Sequence, residues 1–199
     1  MGDRRNQGTL AVTTGRHSLL VLATLALAIS GCATTVGRGQ SELRAGRYTE
    51  AASNFEKALK EHPERLDALV GLGIARYAQG SYDEAVALLG RALGQDPRQA
   101  DAQLYLGLSC LKRGDDGCAA EHLRAFRGLT RNVRVARQVD EALQLMRSEH
   151  PLSLRSRRFV ATSLESTVKS EQELQDARMS TGRWPYPGDT DTFVARWTW

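Results

Sequence analysis

Side chains able to do chemistry are few in this chain, and they are scattered. The histidines past residue 31 are His62, His122 and His150, each in a separate stretch, and none joins a Cys, Asp or Glu in a metal-ligand spacing. No serine sits in a Gly-x-Ser-x-Gly elbow, and no Gly-rich phosphate loop follows a strand-like run. Surface solvation accounts for the histidines, so neither catalysis nor a metal or cofactor is expected. The cysteines say more: Cys32 closes an apolar run, while Cys110 and Cys118 flank Gly114.

The first cysteine is best read with what precedes it. Residues 1–17 carry Arg4, Arg5 and Arg16 against Asp3, and residues 18–30 (SLLVLATLALAIS) carry no charge. A positive segment followed by a short apolar one is the layout of a secretory signal. Its 13 apolar or small residues fall short of the ~20 that span a bilayer. Ile29-Ser30-Gly31-Cys32 resembles the lipobox of bacterial lipoproteins, the alternative being an ordinary signal peptide with an incidental cysteine. The resemblance implies cleavage before Cys32 and lipid attachment to it, with more acyl chains than the two membrane signals stable anchoring requires. Because Ala33 stands where the family's inner-membrane signal has Asp, it also implies the periplasmic face of the outer membrane.

Removal of residues 1–31 takes away three of 27 basic and one of 23 acidic residues, so the net charge falls from +4 to +2. That argues against nucleic acid as a partner. The 168 residues from Cys32 onward suit one domain and a tail, with no second long apolar run.

An internal repeat supplies the elements that position the rest. At a shift of 34, Gly39, Gly73 and Gly107 align, as do Gly46, Gly80 and Gly114, and Ala51, Ala85 and Ala119. GRYTEAASNFEKALKEHP (46–63) nearly superimposes on GSYDEAVALLGRALGQDP (80–97). The period and the G-x-Y-x-E-A…A-L…P pattern resemble the tetratricopeptide repeat, a helix-turn-helix unit of 34 residues, over residues 46–130. The small pairs Gly73 with Ala85 and Gly107 with Ala119 fit the close contacts inside two hairpins. Phe55, Leu89 and Leu123 fill gaps between hairpins. Gly80 and Gly114 suit left-handed helix ends, and Pro63 and Pro97 stop the second helices.

The third unit departs from this pattern. Asp116 replaces the tyrosine of Tyr48 and Tyr82, Phe126 replaces Ala58 and Ala92, and Arg131 replaces the proline. Such an end suggests adaptation to a cap, supplied by residues 133–149 with Val135, Val139, Ala142, Leu143 and Met146 on one stripe. The expected fold is therefore all-α: a short tetratricopeptide-type solenoid of about two and a half repeats with a C-terminal capping helix and an extended aromatic tail. Residues 1–31 form the signal, 32–39 a lipidated tether, 40–150 the solenoid and cap, 151–180 a further helix and 181–199 the tail.

The resemblance implies that the first helix of each pair lines the concave surface. That places Asp67, Val70, Ile74, Tyr77, Asp101, Leu104, Leu108 and Leu111 in a partner-binding groove. Both helices are apolar on more than a packing stripe, so something must cover them. Val70 and Ile74 stand where some relatives clamp a peptide carboxylate, and an apolar helix or extended segment is the expected ligand. The occupant is either an external protein or residues 155–179, whose Phe159, Val160, Leu164 and Val168 form a loose stripe. The tail carries Trp184, Tyr186, Phe193, Trp197 and Trp199 and offers a docking segment, a strap over the repeats or a headgroup contact.

In the oxidising compartment that the lipobox implies, Cys110 and Cys118 are either a disulfide or two small buried residues. The reading that results is a non-catalytic outer-membrane lipoprotein, held to the membrane by its lipid anchor. Its concave face or aromatic tail would engage envelope proteins as a scaffold or assembly factor for a pilus, secretion or motility machine. Its layout looks similar to pilotins and to the repeat lipoproteins of tight-adherence pili. A regulator of a periplasmic cell-wall enzyme and a permanent subunit of an envelope machine are the alternatives.

Overall fold

The computed structural model describes residues 35–149 and 151–180, and every regular element among them is a helix. Helix α1 covers residues 35–44. It is followed by α2 (Tyr48–Glu61), α3 (Leu66–Ala78), α4 (Tyr82–Gln95), α5 (Ala100–Arg113), α6 (Asp116–Leu129), α7 (Val133–Ser148) and α8 (Leu154–Ser180). From α2 to α8 each helix packs on the next in sequence. The expected all-α solenoid is thus the observed one.

Left-handed glycines make the turns inside each pair. Gly46, Gly80 and Gly114 have φ of 73, 82 and 85°, a region where a Cβ is strained. At each, the next amide reaches back five residues: Arg47 to Glu42, Ser81 to Arg76 and Asp115 to Cys110, each at 2.9 Å. This is the bond of a Schellman cap, and it satisfies a carbonyl that the helix end would leave open. Second helices end instead just before Pro63 and Pro97.

Close approach explains the remaining small residues. A Cβ on Gly71 would lie 2.3 Å from the Phe55 ring, and one on Gly73 2.6 Å from Leu89. Ala85 and Ala119 are fully buried as expected, but the spaces left by Gly73 and Gly107 are filled by Leu89 and Leu123, one turn farther along. Leu89 and Leu123 thus pack inside their own hairpins rather than only between hairpins.

The tether expected over residues 32–39 is helical from residue 35. Val36 and Gly39 are buried, and the Phe55 ring sits against Gly39, where a Cβ would come within 2.9 Å. Burial of Val36, with the Phe55 ring of α2 seated on Gly39, holds this segment in a helix despite its weak propensity. Residues 1–34, including Cys32, and residues 181–199, including Trp184, Tyr186, Phe193, Trp197 and Trp199, lie outside the described residues, as does His150.

Curvature follows from which helices touch. Among the described residues α3 packs on α5, while α2, α4 and α6 make no such contact with one another. First helices therefore crowd the inner, concave side. This pattern breaks at α7, which does not pack on α5; α8 does. Phe126 stands where α2 and α4 have alanine and is buried. The inner place that a further first helix would hold is taken by α8.

Candidate functional site: the concave face

Three polar stations bind α8 across the inner side of the array. The first is Asp116, 8% exposed. Its Oδ1 accepts from Arg157 Nε at 2.8 Å, and its Oδ2 accepts from Arg157 Nη2 at 3.0 Å and from the Leu152 amide at 2.9 Å. Two charge-assisted bonds in a fork are the strong form of such a contact. The carboxylate in turn raises the Arg157 pKa, chiefly through the hydrogen bond. Thus the tyrosine-to-aspartate departure at the third repeat is where the chain fastens α8.

At the second station Glu165 accepts from the Tyr77 hydroxyl and lies 3.4 Å from Lys112 Nζ. Burial, and then that bond, drive the Tyr77 pKa far above its ordinary value. The ring centroid of Tyr77 is 5.6 Å from that of Tyr82 and 5.5 Å from that of Tyr105, spacings that favour tilted aromatic contact. Desolvation likewise raises the Tyr105 pKa. At the third station Glu171 Oε2 accepts from Asn132 Nδ2 at 2.9 Å, and Oε1 lies 3.2 Å from Arg134 Nε. Asn132 also caps α7 by accepting from the amides of Arg134 and Val135.

Between the stations Val160, Ala161 and Leu164 are buried, in one continuous core with Leu104, Leu108 and Leu111. Val168 is partly buried against it. Phe159, expected on the inward stripe, is 63% exposed; it precedes Val160 and faces outward by the 100° step of the helix.

The concave positions expected to meet a ligand therefore divide. Leu104, Leu108 and Leu111 are core beneath α8 and cannot receive a partner while α8 is seated. Val70 and Tyr77 are buried as well. Ile74 is half-buried, and Asp67 is half-buried with its carboxylate held by Arg65 at 2.8 and 3.1 Å. Asp101 reaches solvent, yet protein around it withholds enough water to raise its carboxyl pKa. Asp101 is the most open of the eight, and Asp67 and Ile74 are half-buried.

Cys110 and Cys118 are bridged, with Cα atoms 5.8 Å apart. The left-handed Gly114 reverses the chain so tightly that the last turn of α5 faces the first turn of α6, which residue counting along a hairpin understates. His122, expected on a solvated surface, instead ties α6 to α5: its Nδ1 lies 2.8 Å from Gln103 Oε1, and Gln103 Nε2 donates to the Pro97 carbonyl at 2.9 Å. Because Oε1 can only accept, Nδ1 carries the hydrogen. Burial lowers the His122 pKa. Nothing in the sequence marks this pair except that both side chains depart from the apolar or charged types around them.

Among the described residues no group of His, Cys, Asp and Glu could hold a metal ion, and no helix is long and apolar enough to cross a membrane.

A tetratricopeptide-repeat family model matches residues 36–97 and 71–133. No curated protein matches the chain. SycD, the type III secretion translocator chaperone of Yersinia enterocolitica, superposes with a TM-score of 0.55 at 18% identity, over 60% of this chain and 85% of SycD. The structure of SycD in complex with a peptide of the translocator YopD gives the same score and identity, over 60% of this chain and 94% of that one. An O-GlcNAc transferase of Thermobaculum terrenum matches at 0.55 and 20%, over 66% of this chain and only 25% of the transferase. At these identities the likeness is one of fold.

Proposed function

We propose, for a chain whose residues 36–133 are tetratricopeptide repeats, that the protein is a non-catalytic scaffold or assembly factor for a complex of the bacterial envelope. The observation that carries this is the concave face. It is lined by first helices and leaves Asp101 exposed, with Asp67 and Ile74 half-buried. A curved wall of small and apolar residues with a few polar groups recognises a peptide or helix rather than performing a reaction. SycD, with the same fold, has been seen with a translocator peptide, which supports a protein segment as ligand here.

Outer-membrane anchoring through Cys32 is part of the proposal. Its support is the Ile29-Ser30-Gly31-Cys32 resemblance and the Cys110–Cys118 bridge, since disulfides persist in oxidising compartments. On this reading the lipid holds residues 35–180 at the periplasmic face, and envelope proteins are the clients of a pilus, secretion or motility machine.

In-cell crosslinking tests the scaffold function, with a photoreactive residue at the accessible position of Asp101. A discrete envelope protein attached there is the expected result; attachment to nothing but the protein's own residues would count against an open site. Fractionation tests the anchor. Cys32→Ser should move the protein from the membrane to the soluble fraction, and unchanged tight sedimentation would refute lipid attachment.

A further inference from the structure

Although α8 is 27 residues long, its hold on the array is narrow. Its fully enclosed apolar side chains are Val160, Ala161 and Leu164, and residues 172–178 are exposed. By comparison, nine of the 14 residues of α5 are buried. Val168 is partly buried beside them, and the other attachment is polar: Arg157, then Glu165 eight residues on, then Glu171 fourteen on.

Three polar groups of α8, Arg157, Glu165 and Glu171, meet complementary groups on the array. Asp116 begins α6, Tyr77 and Lys112 belong to the first helices α3 and α5, and Asn132 and Arg134 lie at the start of α7. The array thus presents an anion, an apolar floor, a hydroxyl with a cation, and a second cation, in that order. This order is a description of an amphipathic helix. Polar contacts of this kind can be exchanged for those of a competitor, because the competitor restores every partner that α8 releases. Locally weak elements are the ones that move in such exchanges.

We infer that the face formed by α5 and α7, with Tyr77 of α3 at its edge, is a receptor for an amphipathic helix, and that α8 is its resident occupant. The partner is a helix of another protein bearing Arg or Lys one turn before a small apolar cluster, with carboxylates eight and fourteen residues after that base. It binds by displacing α8. This rests on the reading that the array is a protein-binding module. Occupancy by α8 lowers the apparent affinity of any such helix by the fraction of time the site is free.

The test uses the full chain and one probe, a fluorescent synthetic peptide of residues 154–180. In the Arg157→Ala chain the resident helix loses its Asp116 contact, while Asp116 itself stays intact for the probe. The peptide should bind this chain roughly tenfold or more tightly than it binds the unaltered chain, a difference readable by anisotropy. Peptides carrying Glu165→Lys or Glu171→Lys should lose at least that factor. Hydrogen exchange should quicken in α8 alone. If Arg157→Ala loses helicity throughout, Glu171→Gln in the full chain loosens only the far end and carries the same expectation.

Equal or absent peptide binding on both chains, with α8 exchange quickened, would overturn the inference and make α8 a structural strut. The scaffold reading would then still stand or fall on crosslinking at Asp101. Global loss of protection in both variants would make α8 core, and would overturn it too.

Discussion

Tyr48, Tyr82 and Asp116 occupy one place in three successive repeats, at the start of α2, α4 and α6, but they do different work. In the first two units the tyrosine lies beside the glycine turn, and Tyr82 adds its ring to Tyr77. In the third the carboxylate reaches outside its repeat to take the Leu152 amide and Arg157. The same turn carries the Cys110–Cys118 bridge. Beside it Arg157 also lies 3.4 Å from where a Cβ on Gly114 would stand. The regular second repeat touches α8 only through the Tyr77 hydroxyl, whereas the irregular third one holds it by a buried carboxylate. A lost repeat signature in an array is thus a place to look for a contact rather than for decay.

This contrast can be broken most severely at the floor. Leu108→Glu puts a charge into the core shared by α5 and α8, and should cost about 4 kcal/mol or more, measured by urea unfolding. Ile74→Glu, on the half-open part of the same face, should cost less than about 1.5 kcal/mol. Equal costs would mean the two parts do not differ.

A milder break is at the latch. Asp116→Tyr restores the repeat pattern but leaves Arg157 and the Leu152 amide without their acceptor, a loss of about 2–4 kcal/mol. Faster hydrogen exchange confined to α8 should accompany it. Tyr82→Asp at the equivalent site removes the ring packed on Tyr77 and should destabilise with less effect on α8 exchange than Asp116→Tyr.

Removing the bridge by Cys110→Ser with Cys118→Ser should lower stability by about 2–3 kcal/mol, the value for so short a loop. The smallest effect expected is one of pH. Burial lowers the His122 pKa from an ordinary 6.5, so the unfolded chain binds a proton more readily than the folded one. Stability from this residue is therefore complete above about pH 6.5 and declines as the pH falls through that value toward the folded pKa. His122→Gln should flatten that slope in thermal melts at pH 7.5 and 5.5.

Much of the fold was legible because a 34-residue period repeats the same sterics three times. Gly80, Gly114, Ala85 and Leu89 each have a reason that a single residue type satisfies. The stripe of Val135, Val139, Ala142, Leu143 and Met146 was legible for the same cause, and all five are buried. Helix at 35–39 was hidden, since its support is the Phe55 ring sixteen residues away and no local apolar period signals it. The inner face was half legible. The repeat resemblance implied that Leu104, Leu108 and Leu111 face inward, and left two candidates to cover them; α8 packs on α5 there. What selects α8 is the match of Arg157, Glu165 and Glu171 to Asp116, Lys112 and Arg134 across as many as 53 residues of sequence, and charge matches at such separation have no period to reveal them.

The seat of α8 across α5 can be read without altering the protein. Lys112 Nζ and Glu165 Oε1 are 3.4 Å apart, close enough for a zero-length carbodiimide to join them as an amide. Peptide mapping of the monomer after coupling should recover Lys112 linked to Glu165. Lys112 left unmodified, or linked to other carboxylates and never to Glu165, would contradict a helix lying over the concave face.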